Sequence, residues 1–403
     1  MNRRRFLNST IGVAGLSWLP HLSARVESAH EAPILVAIEL SGGNDGLNSV
    51  VPYADDAYYR LRPTIGIPAN QLLKLDDHYG FNPGMLGLQR LWQEGQLAIV
   101  HGCGYERPSY SHFTSMAYWH TGVPHRGDEF GWMGRLADVL APTRKDDMLI
   151  NVAATQSLAV KSSVHTPVVF DDPERFQRHR WMASAGQELT GQHSTASSSP
   201  ADAVEANAAR AFLNAVDQSA QVSSARIRRA WKEYATPVDY GIAPMDLPKV
   251  AACIKAGLPT QLYHVSFRNN SFDTHVQQPA LHRRLLSYAC DGIHGFIRDL
   301  ERIGEARRVL VMVYSEFGRR VPENANLGTD HGSANVMLLA GVGLNGGHYG
   351  RQPSLTELVD GDNLAHTTDF RQVYATVMQD WLNVDAQQVL HEEFETLPIL
   401  RSV

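Results

Sequence analysis

The sequence predicts an α/β fold, a mostly parallel central sheet flanked by helices on both faces. Three observations predict it. A compact apolar run, a helical stretch and a second apolar run follow one another between residues 33 and 101. The same alternation returns between residues 262 and 340. Polar residues able to do chemistry cluster just after these runs, as they do where parallel strands end on a common edge.

Taken in order, Pro33 to Leu40 reads as a buried strand closed by the tight turn Ser-Gly-Gly-Asn-Asp-Gly. From Pro83 the apolar spacing of Met85, Leu86, Leu88, Leu91 and Trp92 is helical, with Gly95 as its stop. Leu97 to His101 is the next buried strand. Ser109 is expected to cap a helix through Phe113, Met116, Ala117 and Trp119 to Gly122. Residues 171–240 change character, from a polar Ser/Thr-rich stretch to an Ala-rich helical one, and read as an insertion on the main body. Leu262 to Phe267 is a strand. A helix from Pro279 to Ile303 places Leu281, Leu285, Leu286, Ile293, Phe296, Ile297 and Leu300 on one face. Strands follow at Arg308 to Tyr314 and Asn335 to Ala340, and a last helix runs from Asp369 to about Leu382.

Composition bounds the function classes. The chain has 403 residues, of which 43% are hydrophobic and 19% charged, ordinary for a globular protein. Residues 1–29 read as a twin-arginine export signal: Arg3, Arg4, Arg5, Phe6 and Leu7, then an apolar run from Ile11 to Leu19, Pro20 and small residues around Ala24 and Ala29. That run is shorter than the roughly 20 residues a membrane span needs, and no later run reaches that length. The expected location is periplasmic or extracellular, with residues 30–403 as one domain. The formal charge is −6, and removal of the signal leaves −9, which argues against nucleic acid as the main partner. Three cysteines allow at most one disulfide and match no zinc spacing.

The candidate site residues are those that follow the strands. Asp45 follows the first. Asp273 and His275 follow the strand at 262–267, Glu316 follows the strand at 308–314, and Asp330 and His331 precede the strand at 335–340. Carboxylate oxygens mixed with imidazoles suit a divalent metal, zinc or manganese foremost, as one ion or two. Ser111 and His112 stand at a helix start, where backbone N–H groups attract anions. Arg319 is a candidate anion binder beside them. Gly341, Gly343 and Gly346 spell a Gly-x-Gly-x-x-Gly pattern, but the residues after it lack the amphipathic helix that a dinucleotide site requires.

Six ordered motifs make the chain resemble the domain of unknown function 1501 family. They are Gly-Gly-Asn-Asp-Gly-Leu-Asn-Ser-Val-Val-Pro at 42–52, Ser-His-Phe at 111–113, Phe-Asp-Thr-His at 272–275, Ser-Glu-Phe-Gly-Arg at 315–319, Gly-Thr-Asp-His-Gly at 328–332 and Thr-Thr-Asp-Phe-Arg-Gln-Val-Tyr at 367–374. That family in turn resembles the alkaline phosphatase and sulfatase superfamily. The resemblance implies an alkaline-phosphatase-like fold with a two-metal site. It places Asp45 at the first-strand metal ligand and Ser111 at the nucleophile. Asp273, His275 and His331 fall at the ligands of one metal. Glu316 falls where the superfamily has an Asp-His pair, and Phe317 stands at the place of that pair's histidine, which weakens the second metal site. In a second alignment Asp330 and His331 are themselves the pair, with His348 as a further ligand. The implied activity is hydrolysis of phosphate or sulfate esters with Ser111 attacking, so the partner is a small anionic ester. The alternative is a non-catalytic exported protein that keeps the fold and binds another exported protein.

Overall fold

A computed structural model describes residues 32–176, 221–267 and 269–400. The expected export signal at 1–29 and the central part of the expected insertion at 171–240 lie outside the described residues.

The main sheet has nine strands: β1 (Ile34–Leu40), β2 (Leu97–Gly104), β3 (Leu149–Val152), β4 (Val168–Phe170), β5 (Leu262–Phe267), β6 (Val309–Tyr314), β7 (Asn335–Ala340), β8 (Gly347–Tyr349) and β9 (Thr368–Asp369). Their spatial order is β8-β2-β7-β6-β1-β5-β3-β4, and β9 pairs with β2. All neighbours run parallel except β7, which is antiparallel to both β6 and β2. β1 lies at the centre, with Ala37 level with His264 of β5 and Met312 of β6. The run Ile-Leu-Val-Ala-Ile-Glu-Leu is buried throughout, as a strand covered on both faces must be.

Alternation along β1 divides the core. Ile34, Val36, Ile38 and Leu40 face one apolar layer, while Leu35 and Ala37 face the other. Helices α1 (Leu86–Gln93), α4 (Leu247–Lys255) and α5 (Gln278–Arg302) cover the first face. α2 (His112–Thr121), α3 (Trp132–Leu140) and α6 (Phe370–Thr376) cover the second. α5 buries Leu285, Leu286, Ala289, Ile293, Phe296, Ile297 and Leu300 at the spacing of three and four expected of it, but Leu281, expected on the same face, is exposed in the helix's first turn. α1 and α5 pack so closely that a Cβ on Gly87 would stand 2.3 Å from the Cys290 carbonyl oxygen.

One capping expectation is corrected. The N-cap of α2 is Ser111, not Ser109; the Ser109 hydroxyl instead accepts the Ser111 N–H at 3.3 Å. The helix therefore begins at His112, which puts that imidazole in its first turn at the edge where β1 and β6 end. A further departure concerns the last helix, whose final turn at Val377–Trp381 is a π-helix.

Candidate metal centre

The turn after β1 is built around Glu316, the second residue beyond β6. Its buried carboxylate accepts the N–H of Gly42 at 2.8 Å and that of Gly43 at 3.1 Å, together with the Ser315 hydroxyl at 3.1 Å. Gly42 has φ +116, and a Cβ there would meet the Asp273 nitrogen at 2.5 Å. Only glycine lets the β1 turn lie against the segment that presents Asp273.

Four side chains converge beyond this turn. Asp273 Oδ1 is 3.0 Å from His275 Nε2 and 3.2 Å from His331 Nε2, and those two nitrogens are 2.9 Å apart. His112 Nε2 is 3.4 Å from Asp273 Oδ2; it is buried and has no hydrogen-bond partner. Donors on a tetrahedral ion with bonds of about 2.0–2.1 Å stand roughly 3.3 Å from one another. The contacts of Asp273 with the three nitrogens and that between His275 and His331 are of that size; His112, Asp273 and His331 form one compact group, and His275 adjoins it at Asp273 and His331.

The far side of each ring fixes its proton. His112 Nδ1 faces Glu316 Oε1 at 2.9 Å, His275 Nδ1 faces Asp330 Oδ1 at 3.2 Å, and His331 Nδ1 faces the Tyr110 carbonyl at 2.7 Å. Each partner is an acceptor, so each Nδ1 carries a proton and donates it. Three Nε2 atoms and one carboxylate are thereby aimed at a common region, which a cation can enter by displacing the proton that the carboxylates favour on His112. Carboxylate–histidine and carbonyl–histidine pairs of this type orient metal ligands. The donor set fits a divalent metal.

Charge on the cluster follows the same geometry. The Asp273 and Glu316 carboxylates push His112 up to about 9 in the absence of metal. Burial alone raises Asp273, but His112, His331 and Arg319 together outweigh it and hold the carboxyl well below its usual range.

The structure brings His112, Asp273, His275 and His331 together. It puts Glu316 and Asp330 on the Nδ1 side of two of the histidines, as their orienting partners. Asp45 is elsewhere: its buried carboxylate takes Arg62 Nη1 at 2.7 Å, Gln278 Nε2 at 2.6 Å and the Asn48 N–H at 3.2 Å. Arg319 is buried, and each of its three nitrogens is engaged. It donates to the carbonyls of Gly42, Gly43, Thr329 and Phe272 and, at 2.8 Å, to Asp273 Oδ1, so it braces the centre from behind. Ser111 is exposed at the helix start, and its side chain makes no capping bond. Phe317 is buried with its ring 4.9 Å from that of His112 and 4.7 Å from that of His331. His348 pairs with His101 at 2.8 Å, not with His331.

Sequence reasoning missed a second cluster. Glu39 of β1, His120 of α2 and His264 of β5 are all buried, with Glu39 Oε2 3.2 Å from His120 Nε2 and 3.5 Å from His264 Nε2. A glutamate and a histidine inside otherwise apolar strands were the available signal. Proton placement separates this cluster from the first. The Ser157 N–H fixes Asn151 Oδ1 at 2.7 Å, so the amide NH2 of Asn151 faces His264 Nδ1 at 3.3 Å and donates to it. His264 then carries its proton on Nε2, toward Tyr314 Oη at 3.1 Å and Glu39. That proton occupies the space a metal would need, and the trio is a hydrogen-bonded pin between α2 and the sheet.

Fold and geometry together give an α/β protein with a candidate three-histidine, one-aspartate centre at the carboxyl edge of its sheet. A family model described as "Protein of unknown function (DUF1501)" matches residues 32–394, and the chain belongs to that family. No curated protein sequence matches it. Among solved structures the chain is similar to the PsFucS1 sulfatase from Pseudoalteromonas sp., at 11% identity and TM-score 0.37, covering 91% of this chain and 70% of that one. It is also similar to the C-terminal periplasmic domain of EcEptC from Escherichia coli in complex with Zn, at 11% identity and TM-score 0.35, covering 77% and 73%. A third is the phosphonate monoester hydrolase SpPMH from Silicibacter pomeroyi, at 9% identity and TM-score 0.34, covering 88% and 73%. Among the described residues no helix is long and apolar enough to cross a membrane.

Proposed function

We propose that this chain is an exported, metal-dependent hydrolase of phosphate or sulfate esters that works in the periplasm or outside the cell. The observation that supports it is the convergence of three Nδ1-anchored histidines on Asp273. His112, Asp273, His275 and His331 would hold one divalent ion, zinc or manganese. Phe317 fills the flank between His112 and His331, which favours one ion over two. When bound, the ion supplies Lewis-acid stabilisation of charge on the ester oxygens. Glu316, Asp330 and the Tyr110 carbonyl hold the Nδ1 protons and so would keep each Nε2 aimed at the ion. Arg319 holds Asp273 ionised and in place. Ser111, with its hydroxyl free and its neighbour in the cluster, is the attacking group: its Oγ bonds to phosphorus or sulfur, the ester oxygen leaves as the alcohol, and water then releases the acid.

A second reading has its own support. Four protein donors are the number found in closed structural zinc sites, whereas catalytic sites keep a position open. On that reading the centre fixes a surface that binds another exported protein.

Elemental analysis of the purified exported protein tests the proposal, beside an Asp273→Ala/His275→Ala variant. The expected result is about one zinc or manganese per chain, lost in the variant together with hydrolysis of aryl phosphate or sulfate. A folded wild-type protein that takes up no metal from non-chelating buffer rules the hydrolase out. Stoichiometric metal without hydrolysis of either ester class selects the binding protein.

A further inference from the structure

Arg319 is buried and turned to Asp273 and backbone carbonyls, which leaves open what meets the charge of an incoming anion. Its neighbour answers this. An antiparallel bridge pairs Arg319 with His331, and the Arg320 N–H bonds the Asp330 carbonyl at 3.0 Å. That register puts the side chains of Arg320 and Asp330 on the same side. The Asp330 carboxylate there holds His275 Nδ1. The Arg320 guanidinium is 44% exposed, and among the described residues its ion pair is a loose one, 3.9 Å from the half-exposed Asp362. Such a pair is worth little and is easily exchanged for an anion.

Two exposed apolar side chains adjoin the cluster in sequence. Phe113 directly follows His112 in the first turn of α2 and is 91% exposed, the most exposed large hydrophobic residue described. Val276, which directly follows His275, is 56% exposed. Two of the three converging histidines thus each have an uncovered apolar side chain as next neighbour, beside a group that seeks anions.

We propose that Arg320 and Phe113 select the substrate: Arg320 reads the charge of the ester head group, and Phe113 with Val276 packs against an organic group that presents an apolar face. The inference rests on the hydrolase reading and narrows it to anionic esters of aryl or similarly flat-faced alcohols, against those of small polar ones. Both residues are exposed, so their substitution leaves the fold intact.

The test is calorimetric titration of the zinc-loaded, full-length exported protein with phenylphosphonate and with methylphosphonate, with metal content measured on the same samples. Phenylphosphonate is expected to bind about tenfold tighter, the scale of partly burying a phenyl group. Phe113→Ala is expected to abolish that preference and leave methylphosphonate unchanged. Arg320→Gln is expected to weaken both ligands about tenfold and keep the preference. Metal content stays constant in both variants. Equal affinity for the two ligands in the wild-type protein, or a preference that survives Phe113→Ala, overturns the inference while the hydrolase reading stands. Metal-loaded protein that binds neither phosphonate removes the hydrolase reading and this inference with it.

Discussion

Replacing Asp45 with alanine separates a metal ligand from a structural anion. Asp45 is 1% exposed and receives Arg62 Nη1 at 2.7 Å on one oxygen and 3.0 Å on the other. Arg62 is as deeply buried, and its remaining donors hold the carbonyls of Val321 and Arg320 and the Asn48 side chain. Removing the carboxylate leaves a guanidinium charge buried without its partner and strips Gln278 Nε2 of its acceptor. Breaking a buried pair from one side costs about 3–5 kcal/mol. With an unfolding entropy of about 2.1 cal/mol/K per residue, a body of this size loses roughly 4–7 °C of Tm for that sum. The assay is thermal unfolding paired with elemental analysis of the folded protein. The expected outcome is a drop in Tm with metal content unchanged, because Asp45 contacts none of the four converging side chains. Loss of metal with little change in Tm refutes this and returns Asp45 to the ligand set that the resemblance implied.

Three further outcomes are expected. Glu316→Gln replaces the acceptor that holds the Gly42 and Gly43 N–H groups and His112 Nδ1, so metal affinity falls about 10- to 100-fold in a chelator competition while helical circular dichroism is retained. His112 is raised to about 9 in the metal-free protein, so below that pH metal must displace a proton; zinc affinity rises by about tenfold per pH unit as pH increases from 7 to 8, and a flat profile there contradicts the His112 assignment. Asp299→Ala removes a buried carboxylate that accepts Tyr234 Oη, Tyr240 Oη at 2.7 Å, Thr236 Oγ1 at 2.9 Å and Arg302 Nε at 2.7 Å, and costs at least about 2 kcal/mol by denaturant titration. Burial raises the Asp299 carboxyl, but these donors lower it further. Its contribution is therefore present above the unfolded carboxyl pKa near 4 and is lost as pH falls through the depressed folded value; Asp299→Ala is expected to flatten the acid limb of the stability curve.

The fold was legible because it is written in local pattern. β6 is an uninterrupted apolar run, β1 and β5 are apolar runs broken only by Glu39 and by His264 and Ser266, and α5 repeats its buried residues at three and four. No tertiary knowledge is needed to see either. The cap at Ser111 was misplaced by two residues because Ser109 and Ser111 are both competent caps, and only the packing of the chain before α2 decides between them. The candidate site was legible in which residues come together and not in how they face one another. Asp273, His275 and His331 follow or precede strands, so topology alone gathers them. Whether a carboxylate faces the ion or faces a ligand's Nδ1 depends on side-chain direction, and nothing in the spelling of Ser-Glu-Phe or Thr-Asp-His fixes that. Arg62 is the instructive case. It lies 17 residues from Asp45 with no motif between them, yet it decides that Asp45 is an ion-pair partner. The cluster of Glu39, His120 and His264 makes the converse point. Its residue types alone equal those of a metal site, and the amide of Asn151, by fixing where one proton sits, is what separates a cation site from a hydrogen-bonded pin. Composition of a cluster is thus a weak guide to metal binding. The partner on the far nitrogen of each histidine is the stronger one, and it is the property that His112, His275 and His331 share and His264 lacks.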